Sequence, residues 1–134
     1  MTTTVVPNLL SVPTDHTLDK LCATIAAHKK LPPDYHGYTS DGRRLFRGDI
    51  LFALKDTHGF PLNMALDMII NQRDTPVDWP AFIEAARQGG WWDYQTYEVM
   101  QHALADGDVP VDTRYAIMQR FKQYVLRYPH PKMI

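Results

Sequence analysis

The sequence predicts a mostly α-helical protein, a compact bundle of about six helices joined by short loops. Apolar residues recur at helical spacing through most of the chain, and most of these stretches begin or end at proline, glycine or a capping residue. Strand and helix patterns do not alternate along the chain, as they would in a protein with a parallel sheet. Residues 1–13 lack a periodic pattern and are predicted to form a flexible arm, which leaves residues 14–134 as a single helical domain.

The first predicted helix begins near Thr14 and ends before Pro32. Its apolar face comprises Leu18, Leu21, Cys22 and Ile25, and Cys22 is interpreted as a small core residue. Residues 34–47 break the helical pattern, and Asp41-Gly42 lies there between two short segments with aromatic or branched residues. This arrangement is typical of a short β-hairpin near residues 35–46, and a long surface loop is the alternative.

Further helical stretches follow, each with a recognisable boundary. One begins at Gly48 and ends at Gly59, and the next begins with Pro61, a residue type favoured in a first turn. Aspartates are placed to cap the last three helices at Asp78, Asp93 and Asp112. The expected apolar faces are Ile50, Leu51 and Leu54; Leu62, Ala65, Leu66, Ile69 and Ile70; Trp79, Phe82, Ile83 and Ala86; Thr96, Val99, Met100, Ala103 and Leu104; and Ile117, Met118, Phe121, Val125 and Tyr128.

The composition excludes several classes of protein. A chain of 134 residues with 45% hydrophobic residues suits one globular domain rather than a disordered chain. The formal net charge of −1 excludes the strongly basic nucleic-acid-binding class, although it permits a local basic patch. No apolar run reaches the roughly 20 residues that cross a bilayer, and the N-terminus lacks the pattern of a secretory signal. We therefore expect a cytoplasmic location and no membrane partner.

Residues 48–67 are the most distinctive part of the sequence. They contain Asp-Thr-x-Gly-Phe-Pro-Leu at positions 56–62, preceded by Phe52 and Leu54. This pattern resembles a signature of the alanyl-tRNA synthetases, in which a helix ends in Phe-x-Leu-Tyr-Asp-Thr-Tyr-Gly-Phe-Pro-Leu-Asp and a second helix follows. Lys55, His58 and Asn63 depart from that signature, which has two tyrosines and an aspartate at these positions. A weaker similarity extends the match to about residues 47–88.

The resemblance implies a helical module without aminoacylation activity. In the synthetases the corresponding segment lies at the end of the helical tRNA-recognition region, outside the catalytic core. Neither class II active-site motifs nor the metal-binding set of the editing domain is present in this sequence. The sequence therefore predicts no catalytic residue, no cofactor and no metal ligand.

The motif also has a structural interpretation, a rigid corner between two helices. Gly59 can adopt a positive φ, Phe60 can fill the crease, and Pro61 presets φ for the next helix. Asp56 and Thr57 can form hydrogen bonds with free backbone groups at the corner. We interpret these five residues as a structural motif, and direct contact of the motif with a ligand is the alternative.

Basic clusters and an aromatic pair are the remaining candidates for contact with a partner. Residues 111–134 carry five Lys or Arg side chains and one aspartate. A second basic cluster surrounds the predicted hairpin. The adjacent tryptophans at positions 91 and 92 cannot both point inward, so one of them is a candidate for contact with a partner. The candidate contacts with RNA or a protein partner are Arg43, Arg44, Arg47, Lys55, His58, Trp91, Arg120, Lys122 and Arg127. For the charged residues, a solvated helix face is the alternative. For the tryptophans, the alternative is that Trp92 packs against its own helix as a hydrophobic staple while Trp91 packs on a neighbour.

These observations favour a small non-catalytic helical protein that binds RNA, with tRNA as the sharpest hypothesis. The two basic clusters support RNA. The net charge near zero instead supports a protein-interaction or assembly module that keeps the motif only as architecture. A small enzyme is the weakest hypothesis, because no constellation of catalytic residues can be assembled.

Overall fold

A computed structural model describes residues 14–32, 35–39 and 41–130 of the chain. Within these ranges the protein has six α-helices: α1 (Asp15–His28), α2 (Gly48–Asp56), α3 (Leu62–Leu66), α4 (Trp79–Gln88), α5 (Asp93–Asp106) and α6 (Val111–Arg127). Helix α3 continues directly into a π-helical segment, Asp67–Gln72. The prediction of a mostly α-helical fold is confirmed. The predicted arm, residues 1–13, lies outside the described residues.

The predicted hairpin is present as two short strands. Strand β1 (Gly37–Tyr38) pairs antiparallel with β2 (Arg44–Leu45). Phe46, directly after β2, receives a hydrogen bond from the amide of Asp78 at 2.9 Å and donates its own amide to the carbonyl of Pro76 at 2.8 Å. These two bonds anchor the hairpin to the segment that leads into α4.

Of the three aspartates predicted as N-caps, Asp78 is confirmed, and Asp93 and Asp112 are wrong. The side chains of Thr14 and Asp78 accept hydrogen bonds from first-turn amides, both at 3.2 Å. Asp93 and Asp112 instead lie inside the first turns of α5 and α6. Helix α6 begins two residues earlier than expected because the carbonyl of Pro110 already accepts the amide of Arg114 at 2.9 Å. Asp93 is used in an ion pair that is described below.

The apolar core extends across all the helices, and the closest approach is between α2 and α4. The predicted apolar faces are buried or half-buried apart from Tyr128, which lies at the end of α6 and is 50% exposed. Gly48 lies directly against the backbone of α4. A β-carbon at this position would be 2.1 Å from the carbonyl oxygen of Asp78 and 2.3 Å from the amide nitrogen of Phe82. The two helices can therefore pack this closely only with glycine at position 48.

Cys22 is a core residue, as its position in the apolar face of α1 predicts. Its side chain is 3% exposed. Burial, assisted by the negative charge of Asp19, raises the pKa of the Cys22 thiol to about 12.

Polar side chains on and after the π-helical segment connect distant parts of the chain. The amide group of Asn71 donates to the carbonyls of Gly107 at 2.9 Å and Asp108 at 3.2 Å, in the loop before α6. Arg73 pairs with Asp15 and Asp19 of α1, both at 2.9 Å. None of the helices in the described ranges is long and apolar enough to cross a bilayer.

Candidate functional site

The motif at residues 56–61 forms the turn between α2 and α3. Gly59 has a φ of 66°, and the amide of Phe60 donates to the carbonyl of Leu54 at 2.8 Å. The ring of Phe60 is buried, at 4% exposure, and Pro61 is the N-cap of α3 with a φ of −60°. The turn therefore has the positive φ and the buried ring that the sequence predicts, and residues 56–59 are exposed around them.

Within the part of the chain that the structure describes, the side chains of Asp56 and Thr57 do not form the hydrogen bonds with backbone groups that the sequence predicts. No hydrogen bond formed among the described residues uses the side chain of Asp56 or Thr57. Thr57 contributes its backbone amide, which donates to the carbonyl of Ala53 at 2.9 Å and continues the helical pattern by one residue. His58 is exposed on the outer side of the turn. Phe60 and the backbone thus define the corner.

Lys55 and Trp91, two of the candidate contacts, contact each other. The Lys55 Nζ lies 5.2 Å from the centroid of the Trp91 ring, and the same ring packs edge-on against Phe52 with 5.2 Å between centroids. The exposed member of the tryptophan pair is Trp92, at 42% exposure, and its ring lies 6.2 Å from that of His130. Trp91, named from the sequence as a candidate contact, is the packed ring because it fills the space beside Phe52.

The arginines around the hairpin do not form one surface. Arg47 makes a two-pronged ion pair with Asp49, both bonds at 3.0 Å. Burial alone would raise the pKa of Asp49, but the hydrogen bonds from Arg47 and the charge of Lys29 hold it below its usual value. Arg43 donates to the carbonyl of Asp74 at 3.2 Å. Arg44 is exposed on β2 and makes no ion pair with any other described residue.

A groove of about 410 Å³ runs between α6 and the segment that leads into and begins α4. We call it the α6 groove. It is lined by Val77, Trp79, Pro80, Ile83, Arg120, Phe121, Gln123, Tyr124, Arg127 and Tyr128. Its wall on the α4 side belongs to the region that resembles the synthetases, and its other wall belongs to the basic C-terminal helix.

Arg120 and Arg127, predicted as a pair, both line the α6 groove. They are exposed and lie two helical turns apart, which places their backbones about 10 Å apart at 1.5 Å per residue. The ion pairs formed within the described ranges use neither of them. The Arg127 guanidinium lies 5.7 Å from the centroid of the Tyr128 ring.

Lys122 lies on a different side of α6. It lines a second hollow between α5 and α6, which we call the α5–α6 hollow, together with Tyr97, Gln101, Leu104, Val111, Arg114, Tyr115, Met118 and Gln119. The Lys122 Nζ is 5.8 Å from the centroid of the Tyr97 ring. The fold therefore brings Arg120 and Arg127 together and separates them from Lys122.

A charged cluster beside the α6 groove fixes α6 to α4 and α5. The Arg87 side chain is 7% exposed and pairs with Asp93 at 2.9 Å and Glu84 at 3.2 Å. The Tyr124 hydroxyl donates to Glu84 at 2.5 Å. Burial, followed by the hydrogen bond and the charge of Glu84, raises the pKa of Tyr124 to about 12. Sequence reasoning missed this cluster because its members come from three helices.

The described part of the chain holds no group of three or more His, Cys, Asp or Glu side chains that could bind a metal ion. The arrangement on α6 instead offers two guanidinium groups and several aromatic rings along one open surface.

Two curated proteins match part of this chain. The alanine–tRNA ligase of Neorickettsia sennetsu is 33% identical over 97 residues, which is 65% of this chain and 11% of that protein. The alanine–tRNA ligase of Paraburkholderia phymatum is 46% identical over 50 residues, which is 37% of this chain and 6% of that protein. A segment of the chain is similar to part of alanine–tRNA ligase. This confirms the resemblance that the corner motif indicates.

The chain spans only about a tenth or less of the length of these relatives. No protein-family model and no solved structure matches the chain.

Proposed function

We propose that this protein is a non-catalytic helical module that binds structured RNA, with tRNA as the class of RNA. The observation that carries the proposal is the pair Arg120 and Arg127 on the α6 groove. A guanidinium group without a carboxylate partner is a strong donor for phosphate oxygens. The similarity of a segment of the chain to part of alanine–tRNA ligase supports tRNA among structured RNAs.

Because the net charge of the protein is near zero, RNA binding depends on a small group of positive side chains. With a formal charge of −1, the protein as a whole does not attract RNA, so affinity depends on the few cations that reach phosphates. Each phosphate contact that is lost should lower the logarithmic salt slope of binding by about 0.7 to 0.9. Loss of both groove arginines should therefore lower the slope by about 1.4 to 1.8.

Fluorescence anisotropy with a labelled tRNA, repeated over a range of salt concentrations, tests the proposal. The double variant Arg120→Gln/Arg127→Gln should bind more weakly and show the flatter salt slope. The double variant Arg44→Gln/Lys122→Gln is the matched control, because it removes the same charge from exposed positions outside the α6 groove. Equal losses in both variants would contradict the groove as the binding site. Absence of binding to any tRNA or hairpin RNA at low salt would eliminate RNA binding altogether.

A second candidate function is that of a protein-interaction module. It is favoured by large apolar side chains on α6 that remain exposed, namely Val111 at 65%, Tyr115 at 68% and Leu126 at 81%. Val111 and Tyr115 lie one helical turn apart, and adjacent exposed apolar groups are typical of surfaces that contact another protein. Co-purification separates the two functions. Recovery of one defined protein that is lost in Val111→Ser/Tyr115→Ser, without RNA, would favour this alternative. A cytoplasmic location stays a prediction from composition under either function.

A further inference from the structure

We infer that the RNA bound in the α6 groove is an unpaired strand of about four nucleotides rather than a double helix. This inference rests on the proposed RNA-binding function and names the form of RNA that the groove takes. Three features of the groove carry it: its apolar lining, its exposed tyrosine and its length from that tyrosine to a carboxylate beyond Arg120.

The lining of the α6 groove is suited to bases rather than to a backbone. The apolar part of the lining comprises Val77, Trp79, Pro80, Ile83 and Phe121. An RNA duplex presents phosphates, hydroxyl groups and base edges, and keeps its base faces inside the stack. It could therefore satisfy Arg120 and Arg127, but it would leave the apolar side of the groove without a complementary group. Unpaired bases have free faces that can cover such a surface.

The end of the groove provides a stacking platform. Tyr128 is 50% exposed, and its ring centroid lies 5.0 Å from that of Tyr124. The Arg127 guanidinium lies 5.7 Å from the same Tyr128 ring. An aromatic ring paired with a guanidinium in this way can hold a base on its exposed face while the cation contacts the adjacent phosphate.

Charges at the other end limit the length of the strand. From Arg120 to Tyr128 the helix advances about 12 Å, which accommodates about four stacked nucleotides at 3.4 Å each. Beyond Arg120 the surface continues into a hollow that is lined by Asp112 together with Arg120. The Asp112 carboxylate repels phosphates. A strand longer than about four nucleotides should therefore gain little further affinity.

Hairpin RNAs with one common stem and single-stranded overhangs of zero, two, four or eight nucleotides test the inference in an anisotropy titration. Both 5′ and 3′ overhangs are needed, because the groove does not define the direction of the strand. Affinity for one of the two series should rise about fivefold or more per stacked base, up to about four nucleotides, and then stay level.

Variants of Tyr128 test whether the gain in affinity from the overhang arises in the α6 groove. Tyr128→Leu should remove most of the gain in affinity that the overhang provides, whereas Tyr128→Trp should retain that gain. Tyr115→Leu is the matched control, since Tyr115 is an exposed tyrosine of the same helix that lines the α5–α6 hollow. Melting temperatures of the variants verify that each is folded.

The outcomes separate this inference from the proposed function. Equal affinity for blunt and overhanging hairpins, still reduced in Arg120→Gln/Arg127→Gln, would overturn the unpaired strand and leave RNA binding intact. A gain that continues to eight nucleotides, or that survives Tyr128→Leu, would also overturn it. Failure to bind any of the RNAs would remove both.

Discussion

The corner between α2 and α3 and the junction of α4, α5 and α6 hold helices together by different means. The corner depends on the buried ring of Phe60, on Gly59 and on backbone hydrogen bonds. The junction depends on Arg87, which pairs with two carboxylates, and on a tyrosine hydroxyl that donates to one of them. The corner thus contains no titrating group in its interior, whereas the junction contains several.

This difference has consequences for stability and for function. Burial of apolar area stabilises a fold without directional requirements and without dependence on pH. Charged pairs in poorly solvated positions require correct geometry and correct protonation. The segment that resembles alanine–tRNA ligase, about residues 47–88, includes both the corner and the α4 residues of the junction, and the proposed binding groove lies beside the junction. The corner and the junction have no residue in common, so the two regions can be perturbed separately.

Removal of the Phe60 ring should have the largest effect. Phe60→Ala should lower the free energy of unfolding by about 3 to 5 kcal/mol, because a large buried side chain is lost and a cavity remains. Urea unfolding followed by circular dichroism measures this change. His58→Tyr, next to it on the exposed side of the turn, should be nearly neutral. Unchanged stability in Phe60→Ala would contradict the corner as the support of α2 and α3.

A side chain at Gly48 should have the next largest effect. Gly48→Ala should cost about 1 to 3 kcal/mol, because its β-carbon would collide with the backbone of α4. Gly59→Ala is the comparison. No heavy atom lies within 4 Å of a β-carbon there, so only the strain of a positive φ remains, about 1 kcal/mol. If Gly59→Ala lowered the free energy of unfolding more than Gly48→Ala does, the close approach of α2 and α4 would be shown to tolerate a methyl group.

The smallest effect should appear at the junction and only at high pH. The pKa of Tyr124 is raised from 10.0 to about 12, so between these values the folded protein retains a proton that the unfolded chain loses. The corresponding stabilisation is complete below pH 10 and is lost as pH rises to about 12. Tyr124→Phe should therefore show a shallower fall in melting temperature on the alkaline side. Tyr115→Phe, at an exposed tyrosine, is the control and should follow the wild-type profile.

Local patterns predicted the helices well, because an apolar face of a helix is encoded by residues three and four apart. The same local logic predicted the cap at Asp78. It was wrong at Asp93, since a partner from the previous helix, Arg87, binds that carboxylate. It gave no indication of the role of Gly48, because the constraint comes from the backbone of α4, about 30 residues later.

The candidate site was predicted only in part, because local sequence patterns do not show which distant elements pack together. The seven-residue spacing of Arg120 and Arg127 placed them on one face of a helix, and both line the α6 groove. The wall opposite them, which begins at Val77, comes from a part of the chain about 40 residues away. Arg47 was predicted as a candidate contact with RNA or a protein partner, and the structure pairs it with Asp49, two residues away. The spacing of residues identifies which of them share a helix face, but it does not show which element packs against that face, because this depends on tertiary packing.

The buried thiol of Cys22 makes the protein suitable for site-specific labelling. Cys22 is the single cysteine of the chain, it is 3% exposed, and its pKa of about 12 leaves it protonated at neutral pH. A thiol introduced by Gln123→Cys in the α6 groove, or by Gln119→Cys in the α5–α6 hollow, would therefore react with a maleimide far faster than Cys22 does. A dye or a photo-crosslinker attached at each position in turn would report which of the two surfaces a bound molecule occupies, while both groove arginines remain in place.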